Sequence, residues 1–407
     1  MTLTSLSEYF EGAAAKRLSA VEADSSRSNQ HEFNASKGLT EIMGPDDRAK
    51  IPAVFIWIDD GNGFISEEGY LTWYDARRRH PTRSEYRLYF PSNTIMVKAN
   101  EGDAVFFALR SDGSILTIIT PKNSTSENQI AFLFGLQDQL QQTFRIRDFK
   151  KNKPVETGFA IRMILAELGL ETTTEAPDLL QDMLDHFGKT FPSTKIFSKY
   201  ARSTLPNVSA IDDPDTALIS WLEQEELLFR TLERNIVQEQ IDKGFNDVDE
   251  FVTYSLSVQN RRKSRAGHAL ENQLEEVFRQ FGVKYVRGAM TEKKSKPDFL
   301  FPSEYDYKDP SFLNSKLTML GAKTSCKDRW RQILTEAERI KEKHLITLEP
   351  SISIDQTTEM ASKNIQLIVP TPLQITFTKK QKNCLINLSD FLGIIAEKDQ
   401  MSQNQRD

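Results

Sequence analysis

The chain has 407 residues, with 52 Lys and Arg against 58 Asp and Glu and a formal net charge of −6. At roughly 100–200 residues per domain this implies two or three domains, with cores that need no disulfide or zinc staple; Cys326 and Cys384 form no CxxC pair. Ordinary apolar and charged fractions (39% and 27%) exclude collagen-like and disordered chains, and the absence of a signal-like apolar core or a membrane-length run points to a cytoplasmic protein with no membrane partner.

The first predicted elements are strands. Ala53–Ile58, Tyr86–Phe90, Ala104–Leu109 and Ile115–Ile119 are short apolar runs divided by Gly, Asn and Asp, the spacing of a barrel or sandwich. Asp59-Asp60-Gly61-Asn62-Gly63 lacks calcium-loop spacing and reads as a hairpin turn. A basic group follows: Arg77-Arg78-Arg79-His80, with Arg83 and Arg87. On a strand, alternation sets Arg83, Glu85 and Arg87 on one face, a comb suited to a DNA groove. The competing reading is a sheet edge guarded by charge. Near residue 157 the period becomes helical, with Phe159, Ile161, Ile164, Leu165 and Leu168 on one face. Residues 1–170 are therefore expected to form a mainly β domain, and 171–190 a linker.

A second domain is expected over 191–400. A long amphipathic helix covers Leu218 to Ile241, and another covers 266–281 with Leu270, Leu274, Val277, Phe278 and Phe281 inward. Strands are predicted at Asp298–Phe301, Leu317–Thr324, His344–Leu348 and Ile365–Val369, with a helix over 328–342. Strands interleaved with helices read as an α/β sheet domain. Two more basic clusters lie here, Arg261-Arg262-Lys263-Ser264-Arg265 and Lys327-Asp328-Arg329-Trp330-Arg331. Segregated basic stripes on an acidic chain are the footprint of a nucleic-acid binder. The polar end from Lys398 is expected to fray, with 401–407 a disordered tail.

No P-loop, HExxH, GxSxG or complete GxGxxG occurs, and no histidine begins an HxK. The informative stretch is Lys296-Pro297-Asp298, where proline suits a strand start and Asp298 opens Phe299-Leu300-Phe301. Lys323 sits inside the next strand, where a lysine is costly without a partner. Glu336 follows on the predicted helix and leans toward the sheet with Ile333 and Ile340. Glu271 can join from the earlier helix. Such a set suits phosphodiester hydrolysis. Carboxylates hold Mg²⁺, which activates water and polarises phosphate, while lysine positions the water and offsets phosphoryl charge. On spacing alone the pattern is weak, because Asp, Lys and Glu are abundant.

Three longer strings carry more. Asn260 to Gly267, Lys296 to Pro302, and Lys323 to Leu334 resemble, in that order, the catalytic domain of EcoRII-type restriction endonucleases. The resemblance runs from about Phe191 to near the end of the chain. It implies a PD-(D/E)xK nuclease core with Asp298 and Glu336 on Mg²⁺, Lys323 catalytic and Glu271 a further carboxylate, with Glu338 the rival of Glu336. It also implies that Lys327, Asp328 and Arg329 read the G·C pairs of a CC-GG site with a central position. The chemistry agrees, since Lys and Arg bond guanine O6/N7 and Asp accepts from cytosine N4. Asn260 resembles a minor-groove contact, and Arg261, Arg262, Lys263 and Arg265 phosphate contacts.

The first half is similar to the same family's effector domain, on Lys16 to Ala20, Trp73 to Arg77 and Thr82 to Arg87. That implies a DNA-binding pseudobarrel like that of plant B-three transcription factors, with Arg77, Arg83, Glu85 and Arg87 as DNA contacts and Asn29 and Gln30 on a facing loop. The expected protein is a Mg²⁺-dependent type II restriction endonuclease acting on unmethylated double-stranded DNA. A homodimer would match a pseudopalindromic site. A second, effector copy of the site would bind the N-terminal domain, and a cognate methyltransferase would act on the same sequence. The alternative is a catalytically inactive DNA-binding regulator, against which stands the joint retention of Asp298, Lys323 and Glu336. A nicking or repair nuclease would show strand or structure preference instead. Cys326 reads as a packed small hydrophobe, not a nucleophile.

Overall fold

Several strands of the first half are apolar at consecutive positions, so both faces of their sheet must be covered. In the computed structural model, which describes residues 5–23, 31–35, 37–61, 63–137, 140–149, 158–170 and 176–403, the chain divides into two units. One is Met1–Thr172 with Ser351–Gln356, the other Thr173–Pro350 with Thr357–Asp407.

The first unit holds β1 (Phe10–Arg17), β2 (Glu32–Asn34), β3 (Arg48–Asp59), β4 (Gly63–Asp75), β5 (Tyr86–Tyr89), β6 (Ala104–Arg110), β7 (Ile115–Thr120) and β8 (Arg145–Asp148). They form one sheet in the order β2-β5-β4-β3-β7-β6-β1-β8. β3 and β7 run parallel; the remaining neighbours are antiparallel. Phe55, Trp57, Val105 and Phe107 point into one core with Phe33, Trp73 and Leu88. Ile56, Ile58, Ala104 and Phe106 point into the other, with Ile130, Phe134, Ile161 and Leu165 from the helices Thr125–Phe134 and Phe159–Glu167. The hairpin read at Asp59–Gly63 joins β3 to β4. Sequence reading missed β1, whose Ala13-Ala14-Ala15 run has little strand propensity; its place between β6 and β8 decides its conformation.

The second unit holds β9 (Val286–Arg287), β10 (Phe299–Phe301), β11 (Thr318–Lys323), β12 (Lys343–Thr347) and β13 (Ile365–Ile368), in the order β13-β12-β11-β10-β9. β9, β10 and β11 pair antiparallel; β11, β12 and β13 pair parallel. Phe278 locks the helix Val248–Gln280 to this sheet, with ring centroids 5.2 Å from Phe299 and 5.3 Å from Phe301. That helix begins far before the expected 266, because Asp247 caps it by accepting from Glu250 N at 2.8 Å. Phe281, expected inward, stands at the helix end and is 39% exposed.

Three further expectations are corrected. The stretch 171–190 is not all linker: Pro177–Phe187 is helical and buries Met183 beside Phe197, Leu228 and Leu232; residues 171–175 lie outside the described set. No helix spans 328–342; a 3-10 helix ends at Thr335, Glu336 is extended, and Ala337 takes a φ of 49°. The polar end does not fray from Lys398. The helix Leu388–Gln403 passes through it, and Lys398 Nζ donates to Thr318 Oγ1 at 2.9 Å.

Candidate active site and nucleic-acid interface

Antiparallel pairing brings the start of β10 beside the end of β11, since Phe299 opposes Leu320. Asp298 and Lys323 therefore meet at one end of the sheet. Asp298 Oδ2 accepts from Lys323 Nζ at 2.9 Å and from Ala322 N at 2.7 Å. Both side chains are largely buried. The lysine that the sequence left without a partner has one.

Glu336 reaches the same place by another route. The 3-10 helix Lys327–Thr335 rests on the sheet through the fully buried Trp330 and Ile333. A Cβ at Gly321 would lie 2.9 Å from Ile333 Cγ2, so this close seat requires glycine. Gly321 stands two residues before Lys323, and the second carboxylate comes from Glu336 instead. Lys343, almost fully buried, then donates through Nζ to the carbonyls of Glu336, Ala337 at 3.1 Å and Ile340 at 3.2 Å, closing the turn that presents Glu336. Sequence reading passed over Lys343; an isolated lysine opening an apolar strand was its one visible signal.

Burial, then the charge of Asp298, push the Glu336 carboxyl up to about 7 against the pull of Lys323 and Lys343. Its Oε2 is buried without a hydrogen-bond partner. An unsatisfied acceptor facing a second carboxylate is what a hard divalent cation would complete. Glu338 points elsewhere, to Lys293 at 2.5 Å on the surface. Glu271 is instead held in a separate network by Arg287, which also binds Glu275 and Asn272.

The candidate DNA contacts divide sharply. Asn260 and Lys263 are exposed on the helix Val248–Gln280, and Arg329 is exposed on the 3-10 helix. Arg261 stacks on Phe191 at 4.1 Å, and Arg262 pairs with Glu233 at 2.7 Å. Arg265 is corrected: it is 8% exposed, lies 4.8 Å over Phe197 and Phe229, and donates to Pro192 O at 3.0 Å. It is a core residue in this structure, not a phosphate contact. The side chains of Lys327 and Asp328 lie outside the described set, as do Asn29 and Gln30.

In the first unit, β5 starts only at Tyr86, so Arg83 and Glu85 lie in a loop and the three-residue strand comb does not form. Asp75 Oδ1 closes that loop by accepting from Arg77 N at 2.9 Å and Glu85 N at 2.8 Å. Glu85 pairs with Arg77 and Arg87, and Arg87 also bonds Glu32 at 2.7 Å. Arg83 is exposed.

The family model for the EcoRII C-terminal domain matches residues 229–392. This part of the chain is similar to the EcoRII C-terminal domain. It contains Asp298, Lys323 and Glu336, and its mixed sheet has the PD-(D/E)xK nuclease arrangement. The type II restriction enzyme EcoRII of Escherichia coli is 42% identical over 204 residues, which are 50% of this chain and 50% of that protein. The match thus spans about half the length of that relative. Among solved structures, metal-depleted Ecl18kI in complex with uncleaved, modified DNA has a TM-score of 0.45 at 18% identity, over 56% of this chain and 86% of that one. The PspGI restriction endonuclease–substrate DNA complex has a TM-score of 0.43 at 15% identity, over 51% of this chain and 93% of that one. No described helix is long and apolar enough to cross a membrane.

Proposed function

We propose that this protein is a Mg²⁺-dependent type II restriction endonuclease that hydrolyses double-stranded DNA at an unmethylated CC-GG site with a central position. The observation that carries the reading is the convergence of Asp298, Lys323 and Glu336 at one sheet end. Asp298 and Glu336 are the residues to hold the cation, by virtue of the orphaned Glu336 oxygen beside a second carboxylate. Bound there, Mg²⁺ supplies phosphate polarisation and an acidified water. Lys323, kept in place by Asp298, orients the attacking water and offsets charge that grows on the phosphoryl oxygens. Trp330 and Ile333 exclude solvent beneath the centre.

In this reading Lys327, Asp328 and Arg329 read base edges, Asn260 and Lys263 contact the duplex, and two copies of the chain engage a pseudopalindrome. The first unit binds a second, effector copy of the site, with Arg77, Arg83 and Arg87 nearest to the DNA and Glu85 holding two of them. Relationship to the Escherichia coli enzyme supports the reading over a regulator without catalysis. The test is digestion of unmethylated phage DNA with Mg²⁺, wild type beside Lys323→Ala, with fragment ends sequenced. Discrete ends at CC-GG sites, absent in the variant, are expected. Intact DNA with wild type, even after adding short site-bearing duplex, would overturn the reading.

A further inference from the structure

Glu349 is a buried acid that lies outside the Asp298, Lys323 and Glu336 set; it is only 2% exposed. It stands two residues beyond Thr347, the register partner of Lys323 across the parallel β11–β12 pair. From there Glu349 Oε2 accepts from Cys326 N at 2.6 Å and from Ser325 Oγ at 2.9 Å. Ser325 and Cys326 are the turn between Lys323 and the segment Lys327-Asp328-Arg329. Cys326 is fully buried, and its carbonyl accepts from Trp330 N at 3.1 Å, tying the turn to the 3-10 helix. Thr347 Oγ1 in turn accepts from Glu349 N at 3.1 Å.

One strand end therefore fixes two things at once: the lysine by register, and the turn that follows it by a carboxylate. A buried carboxylate is costly, and charge-assisted bonds to an N–H and an O–H offset that cost only in a fixed geometry. Base-edge readout requires such geometry, because a bidentate contact to guanine or cytosine tolerates little displacement. We infer that Glu349 is a positioning residue that sets the reading segment 327–329 relative to the catalytic lysine, and so determines how well correct and incorrect bases are distinguished. This rests on the endonuclease reading above. Glu349 touches neither DNA nor the reacting atoms; it acts through the turn.

The test compares wild type, Glu349→Ala, Glu349→Gln and Ser325→Ala on duplexes that carry either a CC-GG site or the same site with one outer base pair changed. Single-turnover cleavage with Mg²⁺ and binding with Ca²⁺ are both measured, and thermal midpoints are recorded. Glu349→Ala is expected to shrink the ratio between correct and changed sites roughly five- to hundredfold, the range that one wrong base commands. Glu349→Gln, which keeps an acceptor oxygen, should restore most of the ratio. Ser325→Ala removes the Oγ bond to Glu349 without opening the core, so it tests the idea if Glu349→Ala does not fold; it should shrink the ratio to a lesser degree. A purely structural role would lower the thermal midpoint and slow both sites equally, leaving the ratio unchanged, and that outcome overturns the inference alone. Wild type that neither cleaves nor binds the two duplexes differently overturns the endonuclease reading, and the inference falls with it. Wild type that binds selectively without cleaving overturns the catalytic reading only, and the binding ratios then decide for Glu349.

Discussion

Two clusters of charge, one in each unit, are built on opposite plans. Around β5 every acid has its base: Glu85 lies between Arg77 and Arg87, and Glu32 takes the other side of Arg87 and the hydroxyl of Tyr74. At the end of β10 and β11, one lysine faces two carboxylates, and an oxygen of Glu336 is buried with nothing to accept from. The first plan is neutral and partly exposed, where ion pairs add little to stability. The second is buried and incomplete, which costs stability. The difference separates charges that satisfy one another within the fold from charges that the fold leaves incomplete.

The sharpest way to break this comparison is to remove the shared lysine. Lys323→Ala should lower cleavage about 10³-fold, with the fold intact by circular dichroism; a variant within tenfold of wild type would remove Lys323 from the centre. Asp215 provides the contrast within the same unit. It is only 2% exposed, yet its two oxygens accept from Thr371 N, Leu388 N and Ser389 N at 3.1, 2.9 and 3.0 Å. Asp215→Ala should cost ~3 kcal/mol of stability by urea unfolding.

Glu336 should behave in the reverse sense. Its carboxyl rises to about 7 in the folded protein, above its ordinary value of 4.5. Between those pH values the folded state holds a proton that the unfolded state has released, so the stabilisation present below 4.5 is lost as pH rises through 7. Glu336→Gln should remove that loss, which is about 1–2 kcal/mol after allowance for partial exposure, while abolishing cleavage. Melting curves from pH 5 to 8 in chelator check it: wild type should fall relative to the variant across this span, and parallel curves would refute the assignment. The smallest effects belong to the first unit. Glu85→Ala should leave the urea-unfolding midpoint almost unchanged. Arg83→Ala should reduce the salt dependence of duplex binding by about one ion, measured by anisotropy across a salt series.

Much of the centre was legible because its parts lie close in sequence. Pro297-Asp298 before an apolar triplet and Lys323 inside a strand carry their own local signals. Glu336 was legible for its identity but not its setting. The expected helix fails because Lys343 gathers the carbonyls of Glu336, Ala337 and Ile340, which precede it in the chain, and no periodicity encodes that. Arg265 shows the converse. Within a basic run it looks like its neighbours, yet helical spacing turns it inward between Phe197 and Phe229, and composition cannot distinguish those faces. In the first unit, alternation over Arg83 to Arg87 suggested a strand, but the backbone bonds that Asp75 makes to Arg77 and Glu85 hold a loop there. Specific hydrogen-bond and packing partners, not residue types, decided each of these.

The most direct measurement is the effect of Mg²⁺ on the melting temperature of wild type and Glu336→Gln at pH 8 without DNA. Ion at about 100 times its dissociation constant should raise the wild-type midpoint by about 5 °C or more and leave the variant, which already melts higher in chelator, nearly unmoved. Equal gains for both proteins, or a variant that melts below wild type in chelator, would contradict the claim that Asp298 and Glu336 form an incomplete centre built for a cation.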